Sequence, residues 1–131
     1  MNMSIEELKL KAKEASKKAY APYSKFNVGC ALETTSGNVY TGCNVENASY
    51  GLTICAERNA IASAVTAEGH IEIKKIVVYT PTKDATPPCG ACRQVIHEFG
   101  NPEIISICEH KESNLHTSEE LLPWAFELKR D

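Results

Sequence analysis

The chain has 131 residues and a net charge of -3, with 14 basic and 17 acidic side chains. This balance argues against a protein that binds nucleic acid by neutralising phosphates, and the length predicts one domain, residues 1–131. The first residues lack a signal-peptide pattern, and no apolar run is long enough to span a membrane. We therefore expect a cytoplasmic protein whose cysteines are reduced.

The amino-terminal part predicts a helix followed by a hairpin. Ser4 and Glu7 form a capping-box pattern that starts an amphipathic helix ending near Pro22. Residues 26–35 read as a strand, Ser36-Gly37-Asn38 as a turn, and residues 39–43 as the returning strand. A polar, turn-rich segment, residues 44–51, follows the hairpin.

The rest of the chain alternates helices with strands, which predicts crossover connections and a parallel part of a sheet. Together with the hairpin, this predicts an α/β fold: a single three-layer α-β-α domain whose mixed sheet is sandwiched between helices. The segment 109–117 is polar and gives no clear signal. The remaining expected elements are a helix at 55–66 stopped by Gly69, a strand at 73–80, a loop at 81–88, a helix at 90–99, a strand at 103–108, and a short helical turn at 119–122 capped by Thr117 or Ser118.

Three cysteines and one glutamate stand out by their order. Cys55 is followed two residues later by Glu57, and Cys89 and Cys92 form a Pro-Cys-x-x-Cys motif. Structural zinc sites use four protein ligands, whereas catalytic sites use three and leave one position for water. A carboxylate beside that position can accept a proton from the water. The pattern therefore predicts one catalytic zinc ion per chain, with Glu57 as its acid and base.

Two other interpretations use the same cysteines. A closed four-cysteine site would make the protein a structural zinc module, and Cys-Gly-Ala-Cys resembles the motif of a thiol oxidoreductase. Neither uses the Cys-Ala-Glu triplet, so we favour the catalytic site. We expect Cys30 to be a packed small hydrophobic residue and Cys43 to be structural.

Both cysteine motifs are expected at the starts of helices. The helix N-termini would then place positive partial charge near the thiolates, which offsets the negative charge of a three-thiolate zinc site. Arg58 is close enough in sequence to donate a hydrogen bond to a ligand sulfur, and we favour this role over a surface salt bridge. Three cysteine ligands together with a glutamate that does not bind the metal match the signature of zinc deaminases.

At this point the sequence closely resembles the small, zinc-dependent cytidine deaminase family. The resemblance covers the chain from about Ala21 to Phe126. Five sequence blocks carry it, in the family's order: Ala-Pro-Tyr-Ser-Lys-Phe-Asn-Val-Gly (21–29), Gly-Cys-Asn-Val-Glu-Asn-Ala-Ser-Tyr-Gly (42–51), Cys-Ala-Glu-Arg (55–58), Pro-Cys-Gly-Ala-Cys-Arg-Gln (88–94) and Glu-Leu-Leu-Pro-x-Ala-Phe (120–126).

The resemblance implies hydrolytic deamination of cytidine and deoxycytidine to uridine and deoxyuridine, as in pyrimidine salvage. Cys55, Cys89 and Cys92 would hold zinc, and Glu57 would carry protons from water to N3 of the base and then to the leaving amine. The substrate contacts that it implies are stacking of Phe26 near the base, hydrogen bonds from Asn44 and Glu46 to the ribose hydroxyls, and contacts of backbone groups around Ala56 and Pro88 with the base edge and its amino group.

The resemblance also implies a homotetramer with active sites shared between subunits. Tyr50 and Phe126 are the residues expected to reach a neighbouring site. The family's closing motif usually has glycine where this chain has Trp124, a difference that could reshape the C-terminal tail. Blasticidin deaminases share the zinc chemistry, but Asn-Val-Glu-Asn fits ribose recognition better. Polynucleotide and nucleotide deaminases usually have histidine where this chain has Cys55.

Overall fold

Five strands form one mixed sheet in the computed structural model, which describes residues 4–129. Four α-helices and one short 3-10 turn, Tyr50–Leu52, complete this described part of the chain. In chain order the helices and strands are α1 (Ile5–Ser16), β1 (Gly29–Thr34), β2 (Val39–Cys43), α2 (Ala56–Glu68), β3 (Ile73–Tyr79), α3 (Gly90–His97), β4 (Glu103–Ile107), β5 (Ser113–Thr117) and α4 (Ser118–Leu121).

The sheet has the strand order β2-β1-β3-β4-β5. β1 runs antiparallel to both β2 and β3, and β5 runs antiparallel to β4. β3 and β4 are parallel and are connected through α3. Because the segment after β3 leads directly into α3, the carboxyl end of β3 is where the Pro-Cys-x-x-Cys motif lies. The expected mixed sheet is confirmed.

Helices cover both faces of the sheet, which confirms the three-layer arrangement. Successive side chains of a strand point to opposite faces, and β3 shows this clearly. Val77 packs with α1, whereas Ile76 and Val78 pack on the side of α2 and α3. The first core cluster includes Leu8, Ala12, Ala31, Val77 and Ile105, and the second includes Leu32, Ala60, Ile61, Ile76, Ile96 and Ile104.

Helix α2 lies unusually close to β2. A Cβ atom at Gly42 would lie 2.4 Å from the backbone nitrogen of Ala60 and 2.6 Å from the carbonyl oxygen of Ala56. No side chain fits in that space, so glycine is required for this approach. The buried alanines of α2 agree with the close packing predicted from the alanine-rich sequence. This contact fixes the start of α2, where Cys55 lies, against the sheet.

Two predicted boundaries were wrong and one strand was not predicted, each for an identifiable reason. α1 ends at Ser16, well before Pro22, and the hydroxyl of Ser16 donates to the carbonyl of Lys13 at 2.6 Å. The first strand begins at Gly29 because Asn44 binds the backbone of residues 26–28. Strand β5 was not predicted, because its residues are mostly exposed and show no apolar alternation. Its pairing with β4 orders it.

The N-cap of the short helix α4 is one of the two residues predicted for that position. Thr117 is its N-cap, and it forms a capping box with Glu120.

None of the helices within residues 4–129 is both long and apolar enough to cross a bilayer.

A carboxylate at the end of α2 holds the β1–β2 hairpin. Glu68 is half-buried and accepts hydrogen bonds that lower its pKa to about 2, those from Asn38 and Tyr40 having the largest effect. Hydrogen bonds to the ionised form of a carboxylate favour that form. The donors are Thr34 at 3.1 Å, Ser36 at 2.9 Å, Asn38 at 2.9 Å and Tyr40 at 2.8 Å.

We expect Glu68→Gln to lower the free energy of unfolding at pH 7 and to reduce its dependence on pH in acid. The pKa of Glu68 falls from 4.5 to about 2 on folding, so the carboxylate stabilises the fold above pH 4.5. That contribution is lost as the pH falls toward 2. Urea unfolding measures the free energy of unfolding at pH 7 and at pH 2.5. The difference in this free energy between wild type and Glu68→Gln should be smaller at pH 2.5 than at pH 7. Glu112→Gln, at an exposed loop position, is the matched control. A constant difference between wild type and Glu68→Gln would contradict the prediction.

Candidate active site

Two helix N-termini converge on three cysteine sulfurs. Cys55 is the N-cap residue of α2, Cys89 is the N-cap residue of α3, and Cys92 lies in the first turn of α3. Pro87 and Pro88 precede Cys89, and because proline disfavours helical backbone in the residue before it, α3 begins only after this pair. The unpaired N–H groups of both helices therefore point their positive ends toward the sulfurs.

The sulfur geometry fits one zinc ion. The sulfurs of Cys55, Cys89 and Cys92 all lie within 4.8 Å of one another, and those of Cys55 and Cys89 are 3.9 Å apart. Tetrahedral zinc with Zn–S bonds of about 2.3 Å holds its sulfurs about 3.8 Å apart. Within residues 4–129 no fourth cysteine, histidine or carboxylate joins this cluster. Three ligands with an open fourth position are typical of catalytic zinc sites, not of closed structural ones.

The other three cysteines lie apart from the cluster. Cys30 is buried in the core beside α2, as predicted for a small hydrophobic residue, and burial together with the charge of Glu57 raises the pKa of its thiol. Cys43 is half-buried at the end of β2, where its carbonyl accepts a hydrogen bond from Asn59 at 2.8 Å. Cys108 is buried after β4, and its thiol donates to the carbonyl of Lys83 at 3.2 Å.

Hydrogen bonds and positive charge make Cys55 a thiolate. The thiol of Cys92 and the guanidinium of Arg58 together lower the pKa of Cys55 to about 5. The Nη2 atom of Arg58 lies 3.4 Å from the sulfur of Cys55. The hydrogen bond with Cys55, together with burial, raises the pKa of Cys92. Metal binding would displace the protons of these thiols, since cysteines bind metal as thiolates.

Glu57 lies in the first turn of α2 and is almost completely buried, with 4% of its surface exposed. Burial raises its pKa, and the nearby charge of Cys55 adds to this effect. A carboxyl group with a raised pKa holds and releases a proton closer to neutral pH than an exposed one does. Its position next to the sulfur cluster makes it the candidate acid and base of the site.

A cavity of about 600 Å³ opens onto Glu57 and two of the sulfurs, those of Cys55 and Cys89. Five of the predicted substrate-binding residues line it: Phe26, Asn44, Glu46, Ala56 and Pro88. Apart from Cys55, Glu57 and Cys89, the other lining residues were not predicted as site residues. Ser24 and Val28 lie inside a sequence block that carried the resemblance, and the rest are Thr53, Val78, Thr80, Thr86 and Pro87.

The polar segment after β2 closes one side of this cavity. Asn44 is buried, and its amide donates to the carbonyl of Phe26 at 2.7 Å and accepts from the N–H of Val28 at 2.9 Å. Glu46 accepts from the backbone N–H groups of Tyr23 at 3.0 Å and Ser24 at 3.1 Å, and also from the hydroxyl of Ser24. The hydroxyl bond is the largest cause of the lowered pKa of Glu46. Both side chains thus hold the loop that carries Phe26.

Tyr50 and Phe126 do not line this cavity in the single chain. Tyr50 is 75% exposed, borders a smaller adjoining cavity of about 300 Å³, and packs edge-on against Tyr23 with the ring centres 6.1 Å apart. Phe126 is 71% exposed, and its carbonyl accepts a hydrogen bond from Gln94 at 3.0 Å. Both rings are therefore free to meet another molecule.

Known proteins share this sequence and architecture. A family profile described as the cytidine and deoxycytidylate deaminase zinc-binding region matches residues 3–108. A cytidine deaminase from Sporosarcina psychrophila is 43% identical over 126 residues, which cover 95% of this chain and 92% of the relative. A probable cytidine deaminase from Dictyostelium discoideum is 46% identical over 116 residues, 88% of this chain and 78% of the relative.

Solved structures of cytidine deaminases share the fold of this chain. The crystal structure of a cytidine deaminase from Burkholderia pseudomallei superposes with a TM-score of 0.91 and 45% identity, covering 95% of this chain and 100% of that one. One from Mycobacterium tuberculosis superposes with a TM-score of 0.81 and 38% identity, covering 97% of this chain and 100% of that one. The chain therefore belongs to the family of zinc-binding cytidine and deoxycytidylate deaminases.

We expect Cys89→Ser to weaken zinc binding by more than the roughly 100-fold that the loss of a group outside the ligand set can cause, because it removes a direct ligand. Competition with a chromophoric chelator measures the affinity. Cys43→Ser is the control, since Cys43 is a half-buried cysteine outside the cluster. Equal losses in the two variants would contradict the assignment of the cluster.

Proposed function

We propose that this protein hydrolyses cytidine and deoxycytidine to uridine and deoxyuridine with release of ammonia, using one zinc ion held by Cys55, Cys89 and Cys92. The observation that carries the proposal is the buried Glu57 that shares a cavity with the sulfur cluster. The relatives named cytidine deaminase support the choice of substrate.

A site that needs three free thiols also favours a reducing compartment, the cytoplasm. Cell fractionation would check this location.

Glu57 is the residue that moves protons in the proposed reaction. Zinc held by Cys55, Cys89 and Cys92 would supply Lewis acidity, which lowers the pKa of a water molecule so that it can attack C4 of the base. The carboxylate of Glu57 would take one proton from this water and give it to N3. It would then take the remaining proton of the water and deliver it to the amine, which leaves as ammonia when its bond to C4 breaks. Its raised pKa suits a group that must both accept and donate. Arg58 and the two helix N-termini offset the negative charge of the three thiolates.

The rest of the cavity would hold the nucleoside. We assign stacking on the base to Phe26, and contacts with the base edge and amino group to backbone groups around Ala56 and Pro88. Glu46 and Asn44 are assigned to the ribose hydroxyls. The lowered pKa of Glu46 keeps it ionised, and an ionised carboxylate accepts strong hydrogen bonds from hydroxyl groups.

The charges of the cavity favour a nucleoside over a nucleotide. Among the described residues that line it, the acidic and basic side chains are Glu46 and Glu57, and both are acidic. A phosphate group would carry negative charge toward these carboxylates without a basic side chain in the lining to pair with it. Repulsion of this kind is a common source of specificity.

We expect the purified wild-type protein to convert cytidine to uridine and to convert deoxycytidine monophosphate at least about tenfold more slowly, because like charges in the cavity repel the phosphate. Glu57→Gln should keep its zinc and lose at least about 100-fold in kcat, in the range typical of acid–base groups. Ultraviolet absorbance follows turnover, and a chelator assay measures zinc in both proteins.

Three results of these assays would contradict parts of the proposed function. A zinc-loaded wild type that turns over neither nucleoside would favour a structural zinc module. Activity that persists in Glu57→Gln would remove Glu57 from the mechanism. Faster turnover of the nucleotide than of cytidine would reverse the choice of substrate.

We also propose that the protein forms a homotetramer in which neighbouring subunits complete each site. The segment next to the cavity presents exposed apolar side chains, namely Val45, Tyr50, Leu52 and Ile54, with Leu52 66% exposed. A contiguous group of this kind is typical of an interaction surface. Tyr50 and Phe126 are the residues assigned to reach a neighbouring site.

We expect light scattering to give a particle of about four times the chain mass of 14.4 kDa. Leu52→Asp should reduce that mass and lower cytidine turnover, since a charge in an apolar interface is costly to desolvate. Leu10→Asp is the matched control, because Leu10 is also 66% exposed but lies on α1. A wild-type monomer that is fully active would contradict the proposal.

A further inference from the structure

Polar side chains of α3 hold the segment that ends the described chain. The guanidinium of Arg93 donates from Nη1 to the carbonyl of Leu121 at 3.0 Å. The amide of Gln94 donates to the carbonyl of Phe126 at 3.0 Å. The Nε2 atom of His97 lies 2.7 Å from a carboxylate oxygen of Glu127. Residues 121–127, the C-terminal segment, therefore lie along α3.

Arg93 has a second contact that Gln94 and His97 do not show in the described chain. Its Nε atom donates to the carbonyl of Pro88 at 2.8 Å. The planar guanidinium has several N–H groups in a fixed arrangement, so it can hold two carbonyls in defined directions at once. Arg93 thus joins the residue directly before Cys89 to the C-terminal segment.

The contact with Pro88 matters because proline has no backbone N–H. The carbonyl is then the one backbone group through which Pro88 can be hydrogen-bonded, and Pro87 before it has the same restriction. That carbonyl belongs to the peptide plane that also contains the nitrogen of Cys89. Fixing the carbonyl fixes the direction in which the chain enters Cys89, which is the most exposed residue of the sulfur cluster.

We propose that Arg93 is a positioning residue that orients Cys89 for metal binding through its bond to the carbonyl of Pro88. The inference rests on the zinc site of the proposed function. It goes beyond that function because it gives Arg93, which is not a metal ligand, a role in metal affinity through the backbone that enters Cys89. A purely structural Arg93 would stabilise the C-terminal segment and leave the metal site unchanged.

The test compares Arg93→Met with Gln94→Met. The first variant removes the bonds to Pro88 and Leu121, and the second removes one bond to the C-terminal segment without touching Pro88. Zinc affinity is measured by chelator competition. Cobalt is then substituted for zinc, and the thiolate-to-cobalt absorption reports ligand geometry without any substrate.

We expect Arg93→Met to weaken zinc binding by about 10- to 100-fold, as for other groups that orient a ligand, and to shift the cobalt spectrum. Gln94→Met should stay within about twofold of wild type with an unchanged spectrum, since its contact lies outside the ligand set. The zinc affinity of Arg93→Lys should lie between those of wild type and Arg93→Met, since a single ammonium cannot reproduce the planar set of N–H donors of the guanidinium.

Wild-type affinity and an unchanged spectrum in Arg93→Met would overturn the proposal. Equal losses in Arg93→Met and Gln94→Met would also overturn it, because they would show that docking alone supports the metal. If Arg93→Met fails to fold, the same two readouts on Arg93→Lys decide. A wild type that binds zinc but does not act on cytidine would refute the proposed function and leave this comparison intact.

Discussion

The site depends on bringing three sulfurs together from two helix starts that are 34 residues apart in sequence. Three thiolates within 4.8 Å of one another would repel strongly. The arrangement is tolerable because both helix N-termini and Arg58 bring positive charge to the same point, and because a bound cation would neutralise the thiolates further. The close approach of α2 to β2 at Gly42 and the entry into α3 after β3 provide this convergence.

The polar residues around the cavity are held by the same contacts that shape it. Asn44 and Glu46 satisfy backbone groups of the loop at 23–28 while also lining the cavity. A site built in this way is ordered before a ligand arrives, so less conformational entropy is lost on binding. It also means that a substitution at either position changes the loop and the lining together. The effect on a ligand therefore includes both contributions.

Local sequence was sufficient for features whose cause is local. The cysteine motifs, the helix start at Thr117 or Ser118 and the alanine-rich face of α2 each follow from neighbouring residues. Strand β5 could not be found, because its order comes from pairing with β4 and not from its own exposed side chains. The bond from Arg93 to Leu121 was equally hidden, since it joins groups that only the fold brings together.

Trp124 shows how tertiary contacts override a local preference. Its backbone has φ of 51° and its side chain is fully exposed. A left-handed conformation costs a residue with a side chain about 1–2 kcal/mol, and an exposed indole gains no burial within the described chain to offset that cost. The path is fixed instead on both sides, by the bonds from Arg93 to Leu121 and from Gln94 to Phe126. These two bonds therefore hold the turn in its left-handed conformation, with the indole at the surface.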